Sequence, residues 1–566
     1  MTKNIIKFLF LFMLIISVNQ VSAQYPSMDE VEEELDSLKH IWDSLDAIAF
    51  QKAWPVIVNE MQNNNKVYCP WAKRSDDLPQ ANIPAFPGAE GGGMYSFGGR
   101  GGKVCVVTSL EDDGPGTFRE ACEQGGARIV VFNVSGIIKL ERPLNINAPY
   151  ITIAGQTAPG DGICIAGESV LINTHDVIIR HMRFRRGETW VGRRDDALGG
   201  NPVGNIMIDH VSASWGLDEN MTLYRHKFTN APGNKKARIH KLITVNITIQ
   251  NSIFSEALDT YNHAFGSTIS GDNCMFARNL WANNRGRNPS VGMGGPFNFI
   301  NNVVYNWHHR TMDGGGYSSR YNLINNYYKP GPVTPKDKPV GYRFIKSESR
   351  FELGGYKFYG RVWVDGNIME GYPEVTENNW KGVQIEDDMP DAGEYLNNIR
   401  WYEPFATPFV NIMDANEAYN YVLANAGATL PKRDPVDIRV VKQVRTNVVD
   451  LKNYVEIEGL YQFEHRRLGP DSYKKGIITD ISQVGGYPEY KGEPNVDTDL
   501  DGMPDEWEKE YGLNPDDPSD ANDDINGDGY TNIEKYINGI DPTIKKDWTD
   551  LKNNKDVLAE KGGVMK

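Results

Sequence analysis

Short runs of alternating apolar and polar residues recur through the middle of the chain, each with the pattern of a β-strand. The runs are ITIAGQ, VIIRHMRF, IMIDHVSAS, ITIQNSIF, MFARNLWA, FNFINNVVY, YNLINNYY and VWVDGNIM. In each run a polar residue separates two apolar stretches. If these polar residues are equivalent, successive runs lie 25, 29, 41, 28, 23, 24 and 41 residues apart; the residues are Gln156, His181, His210, Asn251, Asn279, Asn302, Asn326 and Asn367.

A smallest step near 23 residues, with longer insertions, is typical of stacked coils. Because no long helical segment separates the runs, the pattern predicts an all-β fold, a right-handed parallel β-helix. We expect the recurrent asparagines to be structural, since an amide side chain can bond backbone groups at a coil corner and stack on its neighbour. The longer insertions should project from one side of the β-helix and form the surface that binds a ligand or substrate.

The two ends of the chain have different patterns from the middle. Residues 1–23 combine two lysines, an apolar stretch and a small-residue end, which predicts a signal peptide and export to the periplasm or beyond the cell. Without a cysteine near the cleavage site we expect no lipid anchor, and no later stretch is apolar enough to span a bilayer. Residues 24–82 predict an amphipathic helix and a linker, with apolar residues at helical spacing: Val31, Leu35, Leu38, Trp42, Leu45 and Ala49.

After residue 490 the composition changes to Asp, Asn and Gly, which marks a calcium-binding module over residues 491–545 and a tail over 546–566. The β-helix should therefore span residues 83–490. The segment DTDLDGMPDEWE has the ligand spacing of an EF-hand-type calcium loop. Its candidate ligands are Asp497, Asp499, Asp501, Asp505 and Glu508. A second loop, DINGDGYTNIEK, offers Asp524, Asn526 and Asp528, but Lys535 stands where the last carboxylate would be.

The formal net charge of −16 comes from the ends of the chain. Residues 24–46 and 497–541 are strongly acidic, whereas the central region is close to neutral and can hold local basic sites. Since that region has no net positive charge and no nucleic-acid motif, nucleic acid is not expected as a partner. We expect a monomer whose central region binds an anionic partner.

Basic residues cluster in the segment RHMRFRRGETWVGRRDDALGG. In a strand, Arg183 and Arg185 would share one face, while Met182 and Phe184 would share the other. The arginines could form an exposed row that binds an anionic polymer, or they could be paired with acids inside the solenoid. The pattern alone leaves both interpretations open; of the two we expect the exposed row, so Arg183 and Arg185 are candidate substrate-binding residues.

Several motifs, taken in order, resemble the pectate lyase family. They are FPGAEGGG, VSGII, RRDDAL, IMIDHVSASWGLDE, HAFGS and NRGRNPSVG, and they cover about residues 83–370. The resemblance implies a secreted, calcium-dependent enzyme that cleaves demethylated homogalacturonan (polygalacturonate) by β-elimination and leaves 4,5-unsaturated oligogalacturonides.

The resemblance also implies site residues. Arg287 lies in the R-x-P motif to which the family assigns the catalytic base, and Arg285 would assist it in binding substrate. His263 stands where many members have a substrate-binding lysine. Asp196 matches a calcium ligand of the family, and Asp218 and Glu219 lie near its next acidic ligands.

Two other classes of protein are compatible with the residues. A β-helix hydrolase of the polygalacturonase type would need paired carboxylates, for which Asp195 with Asp196 and Asp218 with Glu219 are candidates. A non-catalytic uronate-binding solenoid would use the arginines alone.

Overall fold

The short apolar runs form strands that wind around one core. The computed structural model describes residues 28–64, 66–187, 194–229, 231, 236–292, 294–385, 392–451, 468–469 and 471–565. Each turn of the chain adds one parallel strand to each of three sheets in succession. The fold is a right-handed parallel β-helix, as the spacing of the runs predicts. The predicted signal peptide lies outside the described residues.

Three parallel sheets form the walls of the β-helix. Sheet 1 contains β1 (Lys103–Val107), β2 (Arg128–Phe132), β5 (Ile151–Ala154), β8 (His175–Arg180), β11 (Gly204–Asp209), β16 (Val245–Gln250), β19 (Asp272–Ala277), β22 (Phe297–Ile300), β25 (Arg320–Ile324) and β30 (Arg361–Asp365). Sheet 2 contains β3 (Gly136–Lys139), β6 (Ile163–Ala166), β9 (Arg183–Arg185), β12 (Ser212–Ser214), β17 (Ile253–Ser255), β20 (Leu280–Ala282), β23 (Val303–Tyr305), β26 (Tyr327–Lys329) and β31 (Ile368–Met369).

Sheet 3 contains β4 (Leu144–Ile146), β7 (Val170–Ile172), β10 (Leu198–Gly200), β13 (Glu219–Leu223), β18 (Phe265–Ile269), β21 (Ser290–Val291), β24 (Met312–Gly314), β27 (Ile345–Ser347) and β32 (Val383–Gln384). Two antiparallel hairpins emerge from the coils. They are β14 (His226–Phe228) with β15 (His240–Leu242), and β28 (Phe351–Leu353) with β29 (Tyr356–Phe358).

Inward-pointing side chains stack in columns along the core. In sheet 1, Ile179 pairs with Ile208, which pairs with Ile249, and the column continues to Phe276 and Phe299. All five are fully buried. Burial of one such side chain contributes about 1.5–3 kcal/mol, so the coils are held mainly by repeated apolar contact.

A ladder of buried asparagines follows one corner of the β-helix, which confirms their structural role. The side-chain oxygen of Asn302 accepts a hydrogen bond from the backbone N–H of Asn279 at 2.9 Å. Asn326 and Asn367 repeat this contact in the next coils, at 2.8 Å and 3.0 Å. Each amide thus satisfies a buried donor of the preceding coil.

The strand register corrects two predicted steps. Ala154 pairs with Arg180, so His181 is equivalent to Gly155 and not to Gln156, and the step there is 26 residues. Ile253 pairs with Leu280, so Asn279 is equivalent to Ser252 and not to Asn251, and the step there is 27 residues. Asn251 instead donates a hydrogen bond to Asp209 at 2.9 Å.

Helices lie at the ends and on the outside of the β-helix. They are α1 (Met28–Asn63), α2 (Phe118–Glu123), α3 (Pro373–Glu377), α4 (Ala392–Ile399), α5 (Ala415–Asn425), α6 (Pro435–Thr446), α7 (Asp505–Tyr511), α8 (Asn532–Asn538) and α9 (Val557–Lys561). Helix α2 places Phe118 and Cys122 in the core at the first coil, and α4 places Tyr395 and Ile399 there at the last. Both ends of the core are therefore closed.

Helix α1 confirms the predicted N-terminal helix, but its packing differs from the predicted apolar face. Leu35 is buried, whereas Leu45 is exposed. The buried contact with the β-helix is made further along, where Ala53 and Ile57 pack with Ala148.

The region after β32 folds back over the coils. Helices α5 and α6 cover sheet 2 through a cluster that includes Val422, Val440 and Tyr305. The C-terminal module covers the first strands of sheet 1, where Trp507 and Ile537 pack on Val131. Throughout the described ranges, no helix is long and apolar enough to cross a membrane.

Candidate active site

Charged residues from successive coils meet where the strands of sheet 3 begin. Glu219 starts β13 and pairs with Phe265, which starts β18. Phe265 in turn bridges to Gly286, the residue before Arg287. Asp196 lies two residues before β10, and Arg310 lies two residues before β24. Since adjacent strands are about 4.8 Å apart, distant segments present their side chains as one row.

Three carboxylates form the acidic half of this row. One oxygen from each of Asp196, Asp218 and Glu219 lies within 4.8 Å of the others. Burial and the charges of Glu219 and Asp218 raise the pKa of Asp196 well above its ordinary value. Burial and Asp218 likewise raise the pKa of Glu219, although Arg287 acts in the opposite direction. Crowded carboxylates of this kind suit a hard divalent cation.

Arg287 supplies the basic half of the row. Its backbone is in the left-handed region, with φ of 52°, and its guanidinium pairs with Glu219 and lies 4.3 Å from the centre of the Phe265 ring. A Cβ on Gly266 would come within 2.7 Å of the Arg287 carbonyl oxygen, so only glycine permits this close approach. Although burial acts in the other direction, Glu219 raises the pKa of Arg287. The guanidinium is therefore a cation here.

His263 lies on the other side of the acids. Its Nδ1 contacts the Asp218 carboxylate, and its ring lies 4.4 Å from the Phe265 ring, centre to centre. The His263 side chain is 24% exposed and that of Arg287 is 27% exposed. Both can therefore be reached from solvent.

Arg310 is a site residue that the sequence motifs do not indicate. Its guanidinium lies 5.3 Å from the centre of the Phe265 ring, pairs with Asp313 and lies 3.8 Å from Glu348. The side chain is 20% exposed. Arg310 lies in the coil after that of Arg287, because β21 pairs with β24. Aligning the coils on sheet 3 would have found it.

Arg183 and Arg185 do share one face of β9, but the prediction of an exposed basic row is wrong. Both side chains are fully buried, because the start of α6 covers them. Arg185 donates to both oxygens of Asp434 at 2.9 Å and to Asp437 at 2.9 Å. Arg183 donates to the carbonyl of Ala428 at 3.3 Å. These arginines join the C-terminal segment to the coils and do not face a substrate.

Arg285 also differs from its predicted role. Its side chain is buried and donates to the carbonyl of Asn262 at 2.7 Å, while its backbone N–H donates to Ala264 at 2.7 Å. Arg285 therefore fixes the turn that carries His263 and does not reach the open face of the site.

The first loop of the C-terminal module forms a second acidic cluster. Asp497, Asp499 and Asp501 lie together, and Asp501 also meets Glu508 and Asp520. Burial and neighbouring carboxylates raise the pKa of Asp501 to about 7 and that of Glu508 to about 8. The Asp505 carboxylate accepts hydrogen bonds from Thr498 and Lys509 and does not join this cluster.

The second loop already contains a cation. The Lys535 side chain is fully buried, and its ammonium lies 2.6 Å from Asp524 and 3.1 Å from Asp528. Asn526 donates to the carbonyl of Ile544 at 3.2 Å. Two of the three predicted ligands of this loop, Asp524 and Asp528, therefore pair with a lysine.

Comparison with known proteins gives the family. No family model matches the chain. Proteins named probable pectate lyase C are similar to it: 33% identical in Aspergillus flavus, covering 81% of this chain and 95% of that protein, and 34% identical in Aspergillus fumigatus (81% and 94%) and Emericella nidulans (81% and 93%).

Solved structures are also similar, at low sequence identity. Jun a 1, the major cedar pollen allergen, is 18% identical, with 60% of this chain and 92% of that chain covered and a TM-score of 0.41. A pectate lyase from Bacillus sp. N165 in complex with trigalacturonate is 14% identical, with 60% and 98% covered and a TM-score of 0.37. On the identity and coverage of its curated relatives, the chain belongs to the pectate lyase family and is a polysaccharide lyase.

Proposed function

We propose that this protein is a calcium-dependent pectate lyase that cleaves demethylated polygalacturonate by β-elimination. The observation that carries the proposal is the row on sheet 3, where the Arg287 guanidinium faces the carboxylates of Asp196, Asp218 and Glu219. An anionic sugar bound along this row would meet both halves of the site.

The chemical difficulty is the weak acidity of the proton on C5 of the uronate. In the reaction a base takes this proton, a double bond forms between C4 and C5, and the bond between C4 and the bridging oxygen breaks with its electron pair on the oxygen. The leaving oxygen takes a proton from solvent and becomes the hydroxyl group of the new reducing end. Negative charge develops on the substrate carboxylate as the proton departs, so fixed positive groups lower the barrier. Arg287 is placed to supply such charge, and Arg310 is placed to bind the substrate anion.

The carboxylates would hold the calcium ion. Asp196, Asp218 and Glu219 offer oxygen ligands of the type that calcium prefers, and their crowding favours a cation among them. A bound calcium ion would neutralise the substrate carboxylate and so increase the acidity of the C5 proton.

Arg287 is the residue proposed for the reacting atoms. The family resemblance assigns it as the base, and its pairing with Glu219 keeps it protonated in the substrate-free site. A protonated guanidinium first binds the uronate carboxylate, and abstraction of the C5 proton then requires that it lose its own proton to solvent.

One assay separates this function from its alternatives. The mature protein is incubated with polygalacturonate and calcium, and both the absorbance of unsaturated ends and the number of reducing ends are followed. We expect both to rise together. New reducing ends without absorbance would favour a hydrolase, and neither signal would favour a binding protein.

Calcium dependence has its own test. Chelation of calcium should abolish turnover, and Asp196→Asn should raise the calcium concentration that gives half-maximal rate by about tenfold, because one ligand charge is lost. Rates are measured at a series of calcium concentrations with saturating substrate. An unchanged calcium dependence in the variant would contradict the assignment of Asp196.

We further propose that the protein is exported and acts as a monomer. The pattern of residues 1–23 supports export. Sequencing the N-terminus of the mature protein should place cleavage before Gln24, and light scattering should give the mass of one chain.

A further inference from the structure

The second acidic loop of the C-terminal module is built around its own lysine. Asp524, Asp528 and the carbonyl of Tyr530 occupy positions 1, 5 and 7 of the twelve-residue loop, which are cation-binding positions in an EF-hand-type loop. The Lys535 ammonium contacts all three groups. Lys535 itself occupies position 12, and its side chain is fully buried. A fixed ammonium thus lies where a metal ion would lie.

The first loop has the same framework without such a cation. Around this loop, six buried carboxylate oxygens have no hydrogen-bond partner among the described residues; they belong to Asp497, Asp499, Asp501, Glu508 and Asp520. Glu508 is fully buried, and neither of its oxygens is bonded. Its carboxylate lies within 4.8 Å of oxygens of Asp501 and Asp520. Leaving such groups buried without a partner is costly.

We propose that the first loop binds one divalent cation of the calcium class, and that the Lys535 ammonium permanently replaces the ion of the second loop. The ligands in the first loop are Asp497, Asp499, Asp501, Glu508 and Asp520. The spacing of the loop predicts Asp505 as a ligand, but Asp520, which lies outside the twelve-residue loop, replaces it in the cluster. The module therefore takes one ion and not two.

The ion has a structural consequence for the β-helix. Met503 and Trp507 lie between the ligands of the first loop, and both pack on Ile129 and Val131 of sheet 1. Asp520 belongs to the segment before the second loop. Binding of the cation would hold these two parts of the module together against the first coils.

Calcium titration of the full chain, followed by calorimetry without polysaccharide, tests the first loop. We expect Glu508→Gln and Asp520→Asn each to lose one bound calcium ion relative to the unchanged chain. Asp516→Asn removes an exposed carboxylate of the same module and should lose none. Because ions are counted as differences between variants, any ion in the active site cancels and lyase activity does not enter the result.

The second loop is tested by Lys535→Glu, which restores a carboxylate at position 12. This variant should gain one bound calcium ion, whereas Lys535→Met should gain none. Limited proteolysis provides a second measurement, since calcium should protect the module in the unchanged chain and much less in Asp520→Asn. An unchanged ion count and unchanged protection in both first-loop variants would overturn the site. A folded Lys535→Glu chain without an additional ion would overturn the role of the ammonium.

Discussion

Phe265 organises the charged side chains of the site. Arg287, Arg310 and His263 all lie against its ring, and a flat aromatic face can hold a guanidinium without supplying a competing hydrogen bond. Their donors therefore remain directed at acids or at a bound anion. Glu219 pairs with Arg287 in the absence of substrate and so holds the guanidinium close to the cluster of three acids.

Replacement of Arg287 tests the proposed chemistry. Arg287→Lys keeps the charge but loses the planar fork of donors, and we expect kcat to fall about 100- to 1,000-fold. The rate of formation of unsaturated ends measures this. Arg320→Lys, an exposed change on sheet 1, should leave the rate unchanged. Near-normal turnover by a folded Arg287→Lys enzyme would remove Arg287 from the catalytic step.

Arg310 should act on binding more than on turnover. In Arg310→Ala the second guanidinium beside Phe265 is lost, and we expect KM for polygalacturonate to rise about tenfold with a smaller change in kcat, as for loss of one charged hydrogen bond. Steady-state rates across substrate concentrations measure the two constants. If kcat fell and KM stayed constant, Arg310 would belong to the chemical step instead.

The residues show which parts of the site a sequence can indicate. Arg287 and the three acids lie in local motifs, so they can be found from spacing. The burial of Arg185 cannot be predicted from local spacing, because its partner Asp434 is 249 residues away along the chain. The sequence shows that Lys535 stands at position 12, where a calcium loop would have a carboxylate. Only the structure of α8 shows that the Lys535 ammonium points back into the loop.

Helix α6 is the element that most firmly joins the C-terminal region to the coils. Asp434 caps the helix by accepting the N–H of Asp437 at 2.9 Å, and the same carboxylate holds the buried Arg185 guanidinium. One residue thus starts a helix and neutralises a buried charge.

A pair of cap variants separates these two effects. Asp434→Ala should lower the free energy of unfolding by about 3 kcal/mol, because the buried Arg185 guanidinium keeps Asp437 but loses both of its hydrogen bonds to Asp434. Asp414→Ala removes the cap of the neighbouring helix α5, where Asp414 is exposed, and should cost about 1 kcal/mol. Urea unfolding measures both. Equal losses would show that the ion pair contributes little beyond the cap.

At the scale of the whole molecule, the last residues of the chain cover the first coils. Ile129, Val131 and Ala154 point outward from sheet 1 and are buried only because Trp507, Tyr536 and their neighbours lie on them. The repeating coils predict the β-helix, but they do not indicate that its outer face depends on a module some 370 residues later.

Removal of this module should expose an apolar patch. A chain that ends at residue 490 is expected to bind a fluorescent dye for apolar surfaces and to aggregate at concentrations where the full chain stays dispersed. Trp507→Ala in the full chain should give a weaker signal of the same kind. Dye binding equal to that of the full chain would contradict the covering role.

The closed ends of the core also govern how copies of the molecule behave toward one another. A stack of parallel strands ends in unpaired backbone groups that another stack could continue. Helix α2 covers the first coil and α4 the last, with Phe118 and Tyr395 filling the openings. The two helices thus limit the stack to a fixed number of coils. Without them, the same repeat that builds the enzyme would favour end-to-end growth of fibres.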